Sequence, residues 1–372
     1  MKNQGRVSLL FSLKSARKWI ALAIVVSTIS LPGWSQSGKR KIIIDQDGSG
    51  PAGSDQQAML VLIQSPQVEV LGITVVTGDG WLKSEVAHTL RMLEIIGRTD
   101  IPVVPGAEYP LVRRQAETEM WEQQFGTVRW MGAWTPRFYH PANELGDMPE
   151  GKPTTKPADE DAAHFLVRMV HKYPHEVTIY EGGPMTNLAL AITIDPEFPS
   201  LAKELVFMGG SFSPKTDDPE FTSTPTREFN LWFDPEAAHT VLTSPWKKLV
   251  CTTVDISVKT RFTRELLDRI KAGNSAAAKY VGDYQQLRGS YDYLWDELAS
   301  LAWLDPSIIT AKETRYMDVD LDHGAGNGTT LSWWEQDKPK LAGPPVEVQV
   351  DLDTARFYKL FVDLLTATTP KP

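Results

Sequence analysis

Short apolar runs rich in branched side chains alternate with stretches of helical spacing along most of the chain. Lys41-Ile42-Ile43-Ile44 is the first such run, and it stops at Asp45. Consecutive apolar positions over so short a length fit a strand buried on both faces of a parallel sheet. Residues 58–63 predict a helix, residues 68–76 a second strand, and residues 84–96 a helix whose Val86, Leu90, Leu93 and Ile96 share one face. Residues 101–104 predict a third strand. Strand and helix in alternation imply parallel pairing through right-handed crossovers. The rhythm continues with a helix over 161–171, a strand over 177–180, a helix from Met185, a strand over 204–208, a helix near 235–242, a strand over 248–254 and helices across 263–303. Residues 346–365 read as a strand and a closing helix. The fold class that follows is α/β: one domain over 40–372, an open, mostly parallel sheet flanked by helices. In such a sheet the active site belongs at the carboxyl ends of the strands.

Two stretches break the rhythm. Residues 113–160 are rich in Pro, Gly, charge and tryptophan, with Trp121, Trp130 and Trp134 among them, and read as an insertion or lid at the site. Residues 211–227 form a second polar loop.

The beginning of the chain changes what counts as fold. Lys2, Arg6, Lys14, Arg17 and Lys18 precede an apolar run from Trp19 to Leu31, and Gly33 and Ser35 supply small residues for a cut after Ser35. This is the pattern of a secretory signal over residues 1–36, too short in its apolar part for a usual spanning helix. It implies an exported protein, periplasmic or secreted, with no membrane attachment after cleavage. The whole chain of 372 residues carries 38 basic and 47 acidic side chains, a net charge of −9. Loss of the five basic residues before Ser35 leaves 33 basic residues against 47 acidic, near −14. An acidic surface repels phosphates, so a nucleic-acid polymer is a poor partner. The single cysteine, Cys251, allows neither an intrachain disulfide nor a cysteine zinc site, and its setting (KKLVCTT) reads as a buried strand.

The chemistry gathers at strand ends. Asp45-Gln46-Asp47 follows the first strand, with Asp55 soon after; Thr77-Gly78-Asp79 follows the second; Glu181-Gly182-Gly183-Pro184 and Met208-Gly209-Gly210 follow later ones. Carboxylates that converge repel one another unless a cation lies between them. Oxygen donors without an adjacent histidine favour Ca2+ or Mg2+ over zinc. A lone D-x-D also caps helices and makes turns, so this motif by itself names no reaction.

Five segments together resemble the inosine-uridine preferring nucleoside hydrolases, over nearly all of residues 40–368. The family opens with a strand leading to D-x-D-P-G-x-D-D; here Asp45-Gln46-Asp47 is followed, after a longer loop, by Ser54-Asp55. Gly183-Pro184-Met185-Thr186-Asn187 resembles G-P-L-T-N, and Met208-Gly209-Gly210 matches M-G-G. Glu228-Phe229-Asn230, continuing to Asp234-Pro235-Glu236-Ala237-Ala238, matches E-F-N and D-P-E-A-A. Trp295-Asp296 with Ala299, Ala302 and Leu304-Asp305-Pro306 fits the family's H-D-P helix.

The resemblance implies a hydrolase that splits a ribonucleoside into free base and ribose. It implies Ca2+ held by Asp47, Asp55, Asp296 and the backbone carbonyl of Gly182, with Asp47 as general base toward a Ca2+-bound water. Glu228 and Asn230 would hold ribose hydroxyls, Met208 would lie against the sugar, and Asp45 and Asn187 would support the metal ligands. Asp79 and Trp295 complete the substrate-binding set. The partner implied is a small-molecule nucleoside, and the chain would be a homo-oligomer, a dimer or tetramer.

The sequence departs from the family at several points. Residues 48–53 are extra, Ser54 replaces a ribose-contacting aspartate, Asp79 stands for Asn, and Thr222 falls where a sugar-contacting Asn is common. Trp295 replaces a histidine that protonates the base in some members. Tryptophan has no proton for that task, though its ring can stack on a base. Arg129, Arg137, Tyr139 and His140 are candidates for the acid by location. For Trp130, Trp134 and Trp295 the plainer alternative is packing under a long loop. Two rival functions remain open on sequence. One is a non-catalytic nucleoside- or ribose-binding protein on the same fold. The other is a phosphatase of the haloacid dehalogenase type, with Asp45-Gln46-Asp47-Gly48-Ser49 as its motif and Asp45 as nucleophile.

Overall fold

The computed structural model describes residues 38–136, 140–287 and 289–371, so the proposed signal over 1–36 lies outside the described residues. Eleven strands occur among them. They are β1 (Arg40–Gln46), β2 (Val68–Val75), β3 (Val103–Pro105), β4 (Val177–Glu181), β5 (Glu204–Met208), β6 (Leu249–Thr252), β7 (Phe262–Thr263), β8 (Tyr291–Asp292), β9 (Ile309–Val319), β10 (Thr330–Trp333) and β11 (Val346–Leu352). Nine of them form one sheet in the order β10-β9-β11-β6-β5-β4-β1-β2-β3, while β7 and β8 make a separate ribbon. Pairing is parallel from β11 through to β3 and antiparallel only where β9 joins β11 and β10 joins β9.

Strand β1 shows why the sheet is double-sided. Ile42 and Ile44 belong to one apolar core, and Ile43, pointing the opposite way, belongs to the other. This is the period of two that a strand imposes on its side chains. The first face is covered by the helices Ser54–Gln64, Leu82–Ile96, Trp295–Leu304 and Thr354–Thr366, the second by Ala162–Lys172, Thr186–Ile194 and Pro235–Leu242. The chain runs outward from β1 through β2 to β3, then restarts on the other side at β4. The switch point of the sheet therefore lies between β1 and β4, where a crevice opens beyond their carboxyl ends.

The alternating pattern was legible, and the boundaries moved for local reasons. The first helix begins at Ser54 rather than near 58, because the buried polar residues Asp55, Gln56 and Gln57 occupy its first turn. The third strand is Val103–Pro105, shifted from 101–104. Strand β6 stops at Thr252, and Val254–Ser257 turns into a short helix. The helices across 263–303 are three: Arg264–Lys271, Ala276–Tyr284 and Trp295–Leu304. Strands β9 and β10 went unread in sequence. Lys312 is exposed, Glu313 and Arg315 are half-buried, and all three make ion pairs, so charged residues interrupt the apolar alternation of β9.

The 113–160 stretch is largely irregular, with a helix at Gln115–Phe125 and a short turn at Gly132–Trp134. It is tied down at its far end, where the Arg91 Nε donates to the Glu150 carbonyl at 2.9 Å and the Thr154 and Thr155 amides donate to Glu94 at 2.6 and 2.7 Å. No helix among the described residues is long and apolar enough to cross a membrane.

The closing helix is part of the core rather than an appendage. Phe361 is fully buried beside Phe262 and Phe357, with ring centroids at 6.2 and 6.3 Å. Phe361→Ala should lower stability by roughly 3–5 kcal/mol, read as a shift of the urea unfolding midpoint. A midpoint equal to the parent's would show that this helix adds nothing to the core.

Candidate active site

A cleft of about 280 Å3 opens beyond the carboxyl ends of β1, β4 and β5. Each acidic strand end contributes to it. Asp47 enters from β1, Asp79 from the turn after β2, Gly182 from β4, and Met208 from β5; Asp55 and Asp296 come from the first turns of two helices that pack on each other. Glu228, Asn230 and Trp295 complete the set drawn from the sequence, so those nine residues share one cavity. Asp45 and Asn187 do not line it. They sit directly beneath.

The lower layer is a buried hydrogen-bond network. Asp45 Oδ1 accepts from Thr74 Oγ1 at 2.6 Å and from Asn187 Nδ2 at 2.8 Å. Asn187 also accepts the Ala107 amide at 2.8 Å and donates to the Val75 carbonyl at 3.3 Å, which stitches three strand ends together. Asp45 Oδ2 and Glu181 Oε2 are buried without a donor of their own, and the two carboxyls face each other. Such a pair fits only with a proton between them, and burial pushes both upward, Glu181 strongly. An Asp45 held in this way has no free face for a nucleophile, which removes the phosphatase reading.

The upper layer has a different composition. Asp47 Oδ2 accepts the Asp79 amide at 2.8 Å, and Ser49 donates its amide to Asp55 Oδ2 at 2.7 Å. Gln46 Nε2 lies 3.3 Å from Asp296 Oδ2, whereas Asp296 Oδ1 is buried with no partner. Asp55 and Asp296 lie within bonding reach of each other. Burial first, and the neighbouring carboxylates second, drive all three acids upward, Asp55 to about 7. Three carboxylates this close cannot all ionise unaided.

Those donors match a hard divalent cation in kind. They are anionic oxygens from three chain segments, with an unpartnered oxygen on Asp296 and the Gly182 carbonyl beside them. As they stand, no three His, Cys, Asp or Glu side chains among the described residues form a complete metal-binding group. Asp55 and Asp296 bond to each other, and the Gly182 carbonyl accepts from Asn230 Nδ2 at 3.2 Å. Donor chemistry and burial favour the cation; the spacing is that of carboxylates sharing protons.

The other half of the cleft is built for fixed orientation. Glu228 caps the helix Phe229–Phe233, taking the Asn230 amide on Oε1 at 2.7 Å and the Gly210 and Leu231 amides on Oε2 at 2.9 and 3.1 Å. Asn230 Nδ2 reaches the carbonyl of Met208 at 3.2 Å. Two glycines make the approach possible. A Cβ on Gly78 would fall 2.1 Å from Asp47 Oδ2, and one on Gly132, whose φ is +53°, would fall 2.1 Å from the Gly78 carbonyl. Gly132 thereby lets the 113–160 stretch lie against the β2 turn and deliver Arg129 and Trp130 to the cleft. Trp130 Nε1 donates to Asp79 Oδ1 at 2.6 Å.

The aromatic candidates divide. Trp130 and Trp295 line the cleft, and Phe221 packs on Trp295 at 5.6 Å. Trp134 instead packs in a buried cluster, its ring 4.5 Å from that of Phe233. Ser54 turns away from the cleft to donate to Glu297 Oε2 at 2.6 Å, and Thr222 is exposed outside it. His140 lies beside Ser84 and does not line the cleft; Arg137 and Tyr139 lie outside the described residues. Sequence reading quoted Gln46, Glu181 and Phe229 within its motifs without giving them a role, and missed Glu297 beneath the site and Glu220, Phe221 and Val254 in its wall. Glu297 could have been found as the acid next to Asp296; nothing in a Pro- and Ser-rich loop marked Glu220.

Comparison with known proteins bears on the family and the fold. The family description "inosine-uridine preferring nucleoside hydrolase" matches residues 42–359. The chain is 32% identical to uridine nucleosidase 1 of Arabidopsis thaliana, over 84% of this chain and 89% of that one. It is 26% identical to the inosine-uridine preferring nucleoside hydrolase of Leishmania major, over 88% and 97%. The structure of a plant nucleoside hydrolase superposes with a TM-score of 0.70 at 27% identity, covering 88% of this chain and 99% of that one.

Asn187 carries the lower layer. Asn187→Ala leaves Asp45 and the Val75 carbonyl short of a donor, and should cost roughly 1–3 kcal/mol in denaturant unfolding. A loss below about 0.5 kcal/mol would mean that the network is not structural.

Proposed function

Because the chain belongs to the inosine-uridine preferring nucleoside hydrolase family, we propose that it cleaves the N-glycosidic bond of ribonucleosides with water activated by Asp47. Family members are enzymes that act on small-molecule nucleosides, and the family is a metalloenzyme family. The cation we assign is Ca2+, with Asp47, Asp55, Asp296 and the Gly182 carbonyl as its holders. When bound, such an ion supplies positive charge that acidifies a water and grips hydroxyl groups.

The protein's own groups then have separable tasks. Asp47 is fixed through Oδ2 by the Asp79 amide, which leaves Oδ1 to take a proton from water. Glu228 and Asn230, immobilised by backbone contacts, orient the ribose, and Met208 packs against it. As the C1′–N bond breaks, the sugar gains oxocarbenium character, and the surrounding carboxylates favour that charge. Trp130 and Trp295 offer ring faces to the base. The observation that carries the reading is the convergence of Asp47, Asp55 and Asp296 with Glu228 and Asn230 around one cleft. The basic, apolar and small-residue start of the chain supports export to the periplasm or medium.

Incubation with a panel of ribonucleosides and Ca2+ should release free base and ribose. Ca2+-dependent nucleoside binding without any turnover would favour a binding protein instead. Chelation should abolish activity and Ca2+ restore it; turnover that survives exhaustive chelation sinks the metal assignment. Asp47→Ala should lower kcat by roughly 10²–10⁴-fold or more, since a general base contributes about that much. Near-parental kcat in this variant would remove the proposed base.

A further inference from the structure

Cleavage of the C1′–N bond leaves an electron pair on the base nitrogen, and that departure is slow unless a proton arrives with it. The cleft must therefore contain an acid as well as a base. Its titratable side chains can be taken in turn. Asp47, Asp55 and Asp296 gather at the proposed cation end. Both oxygens of Glu228 already accept backbone amides. Asp79 accepts from the Trp130 indole. Arg129 offers a guanidinium, a side chain suited to holding anions rather than to giving up and regaining a proton.

Glu220 is left. It lies on the short helix Pro219–Ser223, next to Phe221, whose ring packs on Trp295. Glu220 thus enters the cleft beside the aromatic wall that would flank a base. Among the described residues its carboxyl oxygens have no hydrogen-bond partner; only its backbone is engaged, the amide donating to Asp218 Oδ1 at 2.9 Å. From this placement we propose that Glu220 is the catalytic acid that protonates the departing nucleobase.

Its surroundings keep the proton available. Burial, then the negative charges of Asp218, Asp79 and Glu228, push the carboxyl up to about 8. Asp218 faces it from its own helix, Asp79 from the turn after β2 and Glu228 from the next helix cap. Arg129 lines the same cleft, and Tyr293 approaches the loop through a 2.7 Å contact with Thr216. In the step, the Glu220 proton moves to the base nitrogen as that atom takes the C1′–N electron pair. Water adds to C1′ and yields its proton to Asp47. Exchange with solvent in the open cleft then removes the proton from Asp47 and returns one to Glu220, so that nucleoside and water give base and ribose.

This inference rests on the hydrolase reading, and the test separates the two. The Ca2+-loaded full chain and its E220Q variant are assayed across pH on inosine, on uridine and on p-nitrophenyl riboside, whose phenolate leaves without protonation. In E220Q, kcat on the nucleosides should fall roughly 10²–10⁴-fold. The parent's loss of nucleoside turnover above about pH 8, where Glu220 would surrender its proton, should disappear in the variant. Riboside cleavage should stay within about threefold of the parent, which also reports an intact fold. Equal losses on all three substrates, or unchanged nucleoside turnover, would overturn the role of Glu220 alone. A parent that cleaves none of them would overturn the hydrolase reading and this inference with it.

Discussion

Several carboxyl groups are buried within reach of one another at the mouth of the sheet, and the rest of the site is arranged around that fact. Burial penalises charge, and neighbouring charge penalises it again, so each group is driven toward its neutral form. Two remedies exist, a shared proton or a cation. The lower pair, Asp45 with Glu181, takes the first, since both are fully buried outside the cleft and each keeps an oxygen without a donor. The upper set, Asp47 with Asp55 and Asp296, opens into a cleft and is suited to the second. Two layers of one acidic residue type thereby serve as foundation and working surface.

The two halves of the cleft achieve rigidity differently. At the acidic end, position is set by backbone amides and by glycines that leave no room for an added carbon. At the sugar end, Glu228 spends its oxygens on a helix cap, and that cap fixes where Asn230 points. Pre-set geometry of this kind keeps the reacting groups from searching for one another. Trp130 joins the halves, because its indole holds Asp79 while Asp79 lends its amide to Asp47.

Much of this was legible before any coordinates. The buried run at Ile42 to Ile44 ending in Asp45 marked both a central strand and the edge that carries the chemistry. Asp47, Asp55 and Asp296 were drawn from motif order, and they share a cleft. What escaped has physical reasons. Strand β9 carries charges that pair with neighbours, so its apolar period is masked. Glu297 and Gln46 lie one position from named residues, yet only packing shows that they are buried and aimed inward. Trp130 and Trp134 look alike in sequence, four residues apart, and the turn at Gly132 sends one to the cleft and the other to the interior.

The helices that bring Asp55 and Asp296 together pack against each other although some 240 residues separate them in the chain. No fragment that stops short of the second helix contains the full donor set, however well its own strands pair. A chain cut before residue 295 would therefore keep Asp47 and Asp55 but lose the third acid of the cleft, so the site belongs to the assembled sheet and not to its first half.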